Sequence, residues 1–173
     1  MSVFSVVHRA QGTWTFTPGT LADAEYVTFA GKTYTFKNTV STTNGYVYLP
    51  TGGNTAANKA AIINLVKAIN LTGVAGTDYG TNMTKSTKVR AILTSDYVVT
   101  VEALTPGLYT NAIIGFVDAT AGGAVDASTL GTTTAGTGDA NVDLVTWIDG
   151  VIATMQPNSQ LLEELYQLRS ELV

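Results

Sequence analysis

The sequence predicts an α+β fold: a mostly antiparallel β-sheet or sandwich with one helix packed across it, plus helices at the C-terminus. Three observations carry this. Apolar residues alternate with polar ones over several short runs between 26 and 103, the period of a half-buried strand. One stretch, 54–70 (NTAANKAAIINLVKAIN), changes to a helical period. The order is then strand, strand, strand, helix, strand, strand, which places an antiparallel layer beneath a single helix.

Residues 1–24 read as an N-terminal arm. Val3, Phe4, Val6 and Val7 are strand-like, and Trp14 and Phe16 alternate with Thr13, Thr15 and Thr17 before Pro18 and Gly19 break the run. Two large aromatics on one face of so short a segment need a cover, either this chain's own core or a neighbouring subunit. Val27 and Phe29, then Tyr34 and Phe36, form a hairpin turning at Gly31–Lys32. Asn44–Gly45 marks the next turn, and 46–49 a third strand ended by Pro50.

In the helix, Ile62, Leu65, Val66 and Ile69 fall at i, i+3, i+4 and i+7, one apolar face. Asn64, Lys67 and Asn70 fall largely opposite. Asn54 or Thr55 caps the start and Gly73 supplies a stop. Burying the four aliphatics contributes about 1.5–3 kcal/mol each, and so short a helix needs a sheet to lie on. After a polar loop, 88–94 and 97–103 form a second hairpin turning at Ser95–Asp96, and 111–114 a last short strand. The body is thus expected over 25–117.

Residues 118–138 are Gly-, Ala- and Thr-rich without a period and read as a linker. The segment 139–173 is helical. Val142, Val145, Ile148, Ile152 and Met155 recur at threes and fours up to Pro157. In a final helix Leu161, Leu165, Leu168 and Leu172 are spaced 4, 3 and 4, a heptad seam. Two heptads are too few for an independent coiled coil. They suffice for a helix that docks on another subunit or folds back on the sheet.

Charged residues make up 13% of the chain, about half the usual ~25%, while hydrophobic residues reach an ordinary 45%. Thr, Asn, Ser, Gly and Ala therefore cover much of the surface, which costs little to bury against other subunits. The net charge is −4, and basic residues cluster only at Lys85, Lys88 and Arg90, a solvated strand edge more readily than a nucleic-acid stripe. Neither a nucleic-acid nor a membrane partner is expected. No apolar run approaches the ~18 residues of a membrane span, and MSVFSVVHRA has the wrong charge order for a secretory signal. Cysteine is absent, so thiolate and disulfide chemistry are excluded.

No residue pattern announces catalysis, a cofactor or a metal. His8 is the sole histidine, and no G-x-S-x-G elbow presents a serine. Gly52–Gly53–Asn54 precedes a helix but lacks the phosphate-loop pattern, so the glycines are read as letting the chain turn. Asp139, Asn141 and Asp143 open like a calcium loop, but Leu144 stands where its glycine belongs and Gly150 where its glutamate does; they read as acidic caps. Glu163, Glu164 and Glu171 form the polar face of the last helix.

Residues 25–114 resemble a β-rich module of tailed-bacteriophage structural proteins and phage-like tail or adhesin proteins. The matching pieces are VTFAGKTYTF, NTAANKAAIINLVKAIN, GTDYGT and AILTSDYVVTVEALTPGLYTNAI, in that order. The resemblance covers about half of the chain and carries no catalytic residues. It implies a non-enzymatic virion building block, assembled in the host cytoplasm: either a capsid decoration or cement protein, oligomeric and often trimeric, or a tail, baseplate or fibre component. A non-viral adhesin is the third reading. Its partners would be the major capsid protein or tail subunits, with the interface formed by Val3, Phe4, Val6, Trp14, Phe16, Leu161, Leu165, Leu168 and Leu172.

Overall fold

The computed structural model describes residues 8–106, 113, 115–126, 130, 148, 152 and 160–172. Two four-stranded sheets and two helices make up the described structure, an α+β sandwich as expected from the sequence. The strands are β1 (Gln11–Phe16), β2 (Tyr26–Phe29), β3 (Lys32–Lys37), β4 (Tyr46–Tyr48), β5 (Val89–Ser95), β6 (Val98–Ala103), β7 (Val117–Ala119) and β8 (Gly123–Val125). Helix α1 spans Thr55–Asn70 and α2 spans Gln160–Leu172. One sheet has the order β5-β6-β1-β8, the other β4-β3-β2-β7.

The β2–β3 hairpin closes through Ala30 and Gly31, whose φ angles of 53° and 83° are those of a primed turn; Phe29 pairs with Lys32. The turn sits one residue earlier than the glycine suggested, because Ala30 takes the left-handed conformation. The second hairpin likewise turns one residue late, at Asp96–Tyr97, after a register shift between Leu93 and Ser95.

Strand β4 departs from a pure antiparallel pattern by running parallel to β3, Thr35 opposite Tyr46. Parallel neighbours usually need a crossover of a dozen residues or more, and here eight suffice, 38–45. That loop is held by the segment after α1. Thr81 N–H donates to the Ser41 carbonyl at 3.0 Å, Gly80 N–H to Tyr46 at 2.9 Å, and Asn44 bonds Thr84 through both ends of its amide. Gly80 lies so close to the Thr43 carbonyl that a Cβ there would collide with it.

Residues 8–24 are not an arm, which corrects the expected boundary at 24. β1 lies inside its sheet, between β6 and β8, with Trp14 opposite Val99 on one side and Val125 on the other. The alternation of Trp14 and Phe16 drives them inward, where both are buried. Trp14 stacks on Phe36 of the facing sheet (6.5 Å, 20°) and meets Phe29 edge-on (6.4 Å, 70°). The two sheets therefore share one core, centred on this aromatic cluster.

The linker expectation is also corrected at its start. Residues 117–125 supply β7 and β8, which extend the two sheets along β2 and β1. The Leu130 side chain is buried in the same core. Of the strand expected at 111–114, only Ile113 is described. Of the helix expected over 142–155, Ile148 (buried) and Ile152 are described.

Helix α1 lies between β4, the edge of one sheet, and β5, the edge of the other, and packs on both. Asn54 caps it by accepting from Ala57 N–H at 2.9 Å. The stop falls at Leu71, in the left-handed conformation (φ 55°), with Thr72 N–H bonded to the Lys67 carbonyl, so Gly73 is not the terminator. Packing on two sheets rather than one explains why Asn64 does not face solvent. It is buried and donates to the Tyr48 carbonyl of β4 at 3.0 Å. Asn70 grips Ala91 of β5 through both main-chain groups, donating to the carbonyl at 2.7 Å and accepting from N–H at 3.0 Å. Asn58 accepts from Gly19 N–H and Leu21 N–H, tying the β1–β2 loop to the same helix.

The Asn64 and Asn70 amides satisfy strand-edge groups that would otherwise lie beneath the helix without partners. Asn70→Ala is expected to cost about 1–3 kcal/mol, because both Ala91 main-chain groups lose their partner. Urea denaturation of the purified variant measures this; a loss below a few tenths of a kcal/mol would show that the amide clamp is dispensable.

Candidate functional site

Two surface features stand out: the C-terminal helix and a lysine-lined groove. In α2, the Leu165 side chain is half-buried while Leu168 is 42% and Tyr166 53% exposed. Among the described elements, α2 packs substantially against neither a strand nor α1. Of the expected interface set, Leu165 and Leu168 are thus partly or largely accessible. Trp14 and Phe16 are not: they belong to this chain's own core, which withdraws them from any contact with a neighbour. Val3, Phe4 and Val6, and the side chains of Leu161 and Leu172, lie outside the described residues.

The second feature is an open groove of about 290 Å³ between the β2–β3 turn and the segment leading into β5. Ala30, Gly31 and Lys32 form one wall, and residues 84–88 the other. Three lysines line it, Lys32, Lys85 and Lys88, together with Thr84, Ser86 and Thr87 and no carboxylate. The Lys32 ammonium donates to the Thr84 carbonyl and, at 3.0 Å, to its hydroxyl, and lies 5.3 Å from the centre of the Tyr34 ring. Partial burial holds the Lys32 amine below the usual lysine range. The Tyr34 phenol beneath is fully buried, and burial pushes it well above its ordinary value, so it stays neutral.

Charge pairing separates these lysines from five other described cations. Lys37 sits on Asp23 at 2.6 Å, Lys59 on Asp96 at 2.8 Å and Lys67 on Asp78 at 2.9 Å. The Lys37 hydrogen bond and charge, with Asn38 N–H, hold Asp23 below the usual carboxylate range. At Asp78 burial pushes upward but is outweighed by Val74 N–H and the Lys67 ammonium. Arg9 and Arg90 converge on buried Glu102, at 3.4 and 2.7 Å. Arg90 therefore separates from Lys85 and Lys88, with which it clusters in sequence, while Lys32, about fifty residues earlier, joins them. Nothing in the local pattern marks Lys32; only the pairing of the turn with the β5 approach does.

The remaining sequence candidates carry no constellation. His8 is exposed at the edge of the described chain. Gly52 and Gly53 both take positive φ (124° and 56°), and the Asn54 cap occupies the adjoining helix terminus. Asp139, Asn141 and Asp143 lie outside the described residues, as does the Glu163 side chain. Among the described residues, no group of three His, Cys, Asp or Glu side chains could hold a metal ion, and no helix is long and apolar enough to cross a membrane.

No protein-family model, no curated protein and no solved structure matches this chain.

Proposed function

We propose that this protein is a non-enzymatic structural subunit of a tailed-phage virion, acting through subunit–subunit contacts, with capsid decoration as the leading role. The observation that carries the contact reading is α2. It brings a leucine seam, with Leu168 and Tyr166 exposed, to a sandwich whose own aromatic core is already closed by two sheets and α1. Thirteen residues are too few for a stable helix alone in water. A docking partner, such as the same helix from another copy or a capsid subunit, supplies the missing burial. The phage assignment rests on the resemblance over 25–114 quoted above. Low charge fits both, since an uncharged polar surface is inexpensive to bury.

Purified protein added to capsids stripped of their minor proteins tests the role. Rebinding accompanied by a higher capsid melting temperature supports decoration. Binding to host cells without rebinding to capsids supports the tail or fibre reading instead. Neither behaviour, with a monomer at every concentration, counts against a contact function altogether.

A further inference from the structure

We infer that the groove lined by Lys32, Lys85 and Lys88 is an oxyanion-binding site for a multiply charged tetrahedral group of the phosphate or sulfate class. The inference is independent of the virion reading. It stands first on charge bookkeeping by geometry. In a chain of net charge −4, five described cations each rest on a carboxylate, whereas these three lysines line one depression whose lining has none. Three like charges around one groove repel one another and raise the local potential, which an incoming anion relieves.

The second support is the fixing of Lys32. Its ammonium is anchored on Thr84 above the Tyr34 ring, so one of the three charges is pre-positioned at low entropy cost. Its partial desolvation is offset once an anion sits beside it. Lys85 and Lys88 are exposed and on the opposite wall, free to swing over the bound group.

The lining also selects the ligand class. Lysine binds phosphate as a compact point charge, without the planar fork of arginine, and three of them around one groove suit a group that carries several charged oxygens. Thr84 and Thr87 add polar side chains to the lining, the Thr84 hydroxyl already accepting from Lys32 and Asn44, while the buried Ser86 hydroxyl accepts from Lys88 N–H and Val89 N–H. No aromatic side chain lines the groove, so it offers no stacking platform for a nucleobase.

The test is a titration of isotope-labelled full-length protein with inorganic phosphate and with tripolyphosphate at constant ionic strength, following backbone amide resonances. Saturable shifts confined to residues 30–32 and 84–88, stronger for tripolyphosphate, are expected. The Lys85→Ala/Lys88→Ala double variant, with both sites on the surface and hence folded, should bind about tenfold more weakly; Lys59→Ala should bind normally. Non-saturating shifts, shifts spread over the molecule, or equal binding by the double variant would overturn the inference. Sedimentation with vesicles containing phosphatidic acid, a phosphomonoester, alongside phosphatidylcholine ones distinguishes the source. Binding to the former together with free phosphates identifies lipid phosphate as a source, and binding to vesicles without any response to free phosphates contradicts the site.

Discussion

Trp14→Ala is expected to destabilise the folded protein by about 3–5 kcal/mol, the range for emptying a large aromatic from a packed core. The indole is fully buried and meets Phe16, Phe29 and Phe36 within 6.5 Å, so it joins both sheets at once. Its strand, flanked by β6 and β8, has no room to shift and close the cavity. For a domain of this size the loss corresponds to a fall in melting temperature of roughly 10 °C. Scanning calorimetry at low protein concentration is the check, because dilution removes any contribution from neighbours. An unchanged melting temperature would return Trp14 to the role of an intersubunit anchor and would contradict the placement of β1 inside the body.

Leu165→Asp combined with Leu168→Asp should have the opposite signature: assembly lost, body intact. Charge on this seam opposes burial against any partner, and desolvating an unpaired carboxylate costs several kcal/mol. Since α2 packs substantially on no described strand or on α1, the sandwich should keep its near-ultraviolet dichroism and its melting temperature. Sedimentation equilibrium is expected to show a wild-type oligomer and a monomeric variant. Global unfolding of the variant would mean that the helix folds back on the sheets, the alternative that the heptad spacing left open.

These two expectations depend on assignments that local sequence supported unequally. The hairpins β2–β3 and β5–β6 were legible because alternation and turn residues act over a few positions, with errors of one residue where Ala30 and Tyr97 entered the turns. Helix α1 and its Asn54 cap were legible for the same reason. The parallel pairing of β3 with β4 was not, since it depends on the loop 38–45 being held by Gly80, Thr81 and Thr84, far along the chain. β7 and β8 have three residues each and no alternation; the edges of β2 and β1 recruit them. Asn64 and Asn70 look solvent-facing on a helical wheel and become clamps only because sheet edges stand on two sides of the helix. Among surface features, the leucine seam is written in adjacent heptads, whereas the lysine groove is assembled from two remote segments.

Hydrogen exchange of the α2 amides in the full-length protein, measured as protein concentration is raised, bears most directly on a function exerted through contact. Protection over 160–172 should be weak in dilute solution and climb with concentration, while the amides of α1 stay protected throughout. Protection of α2 equal to that of α1 and independent of concentration would place the helix in the monomer's own core and contradict the docking role.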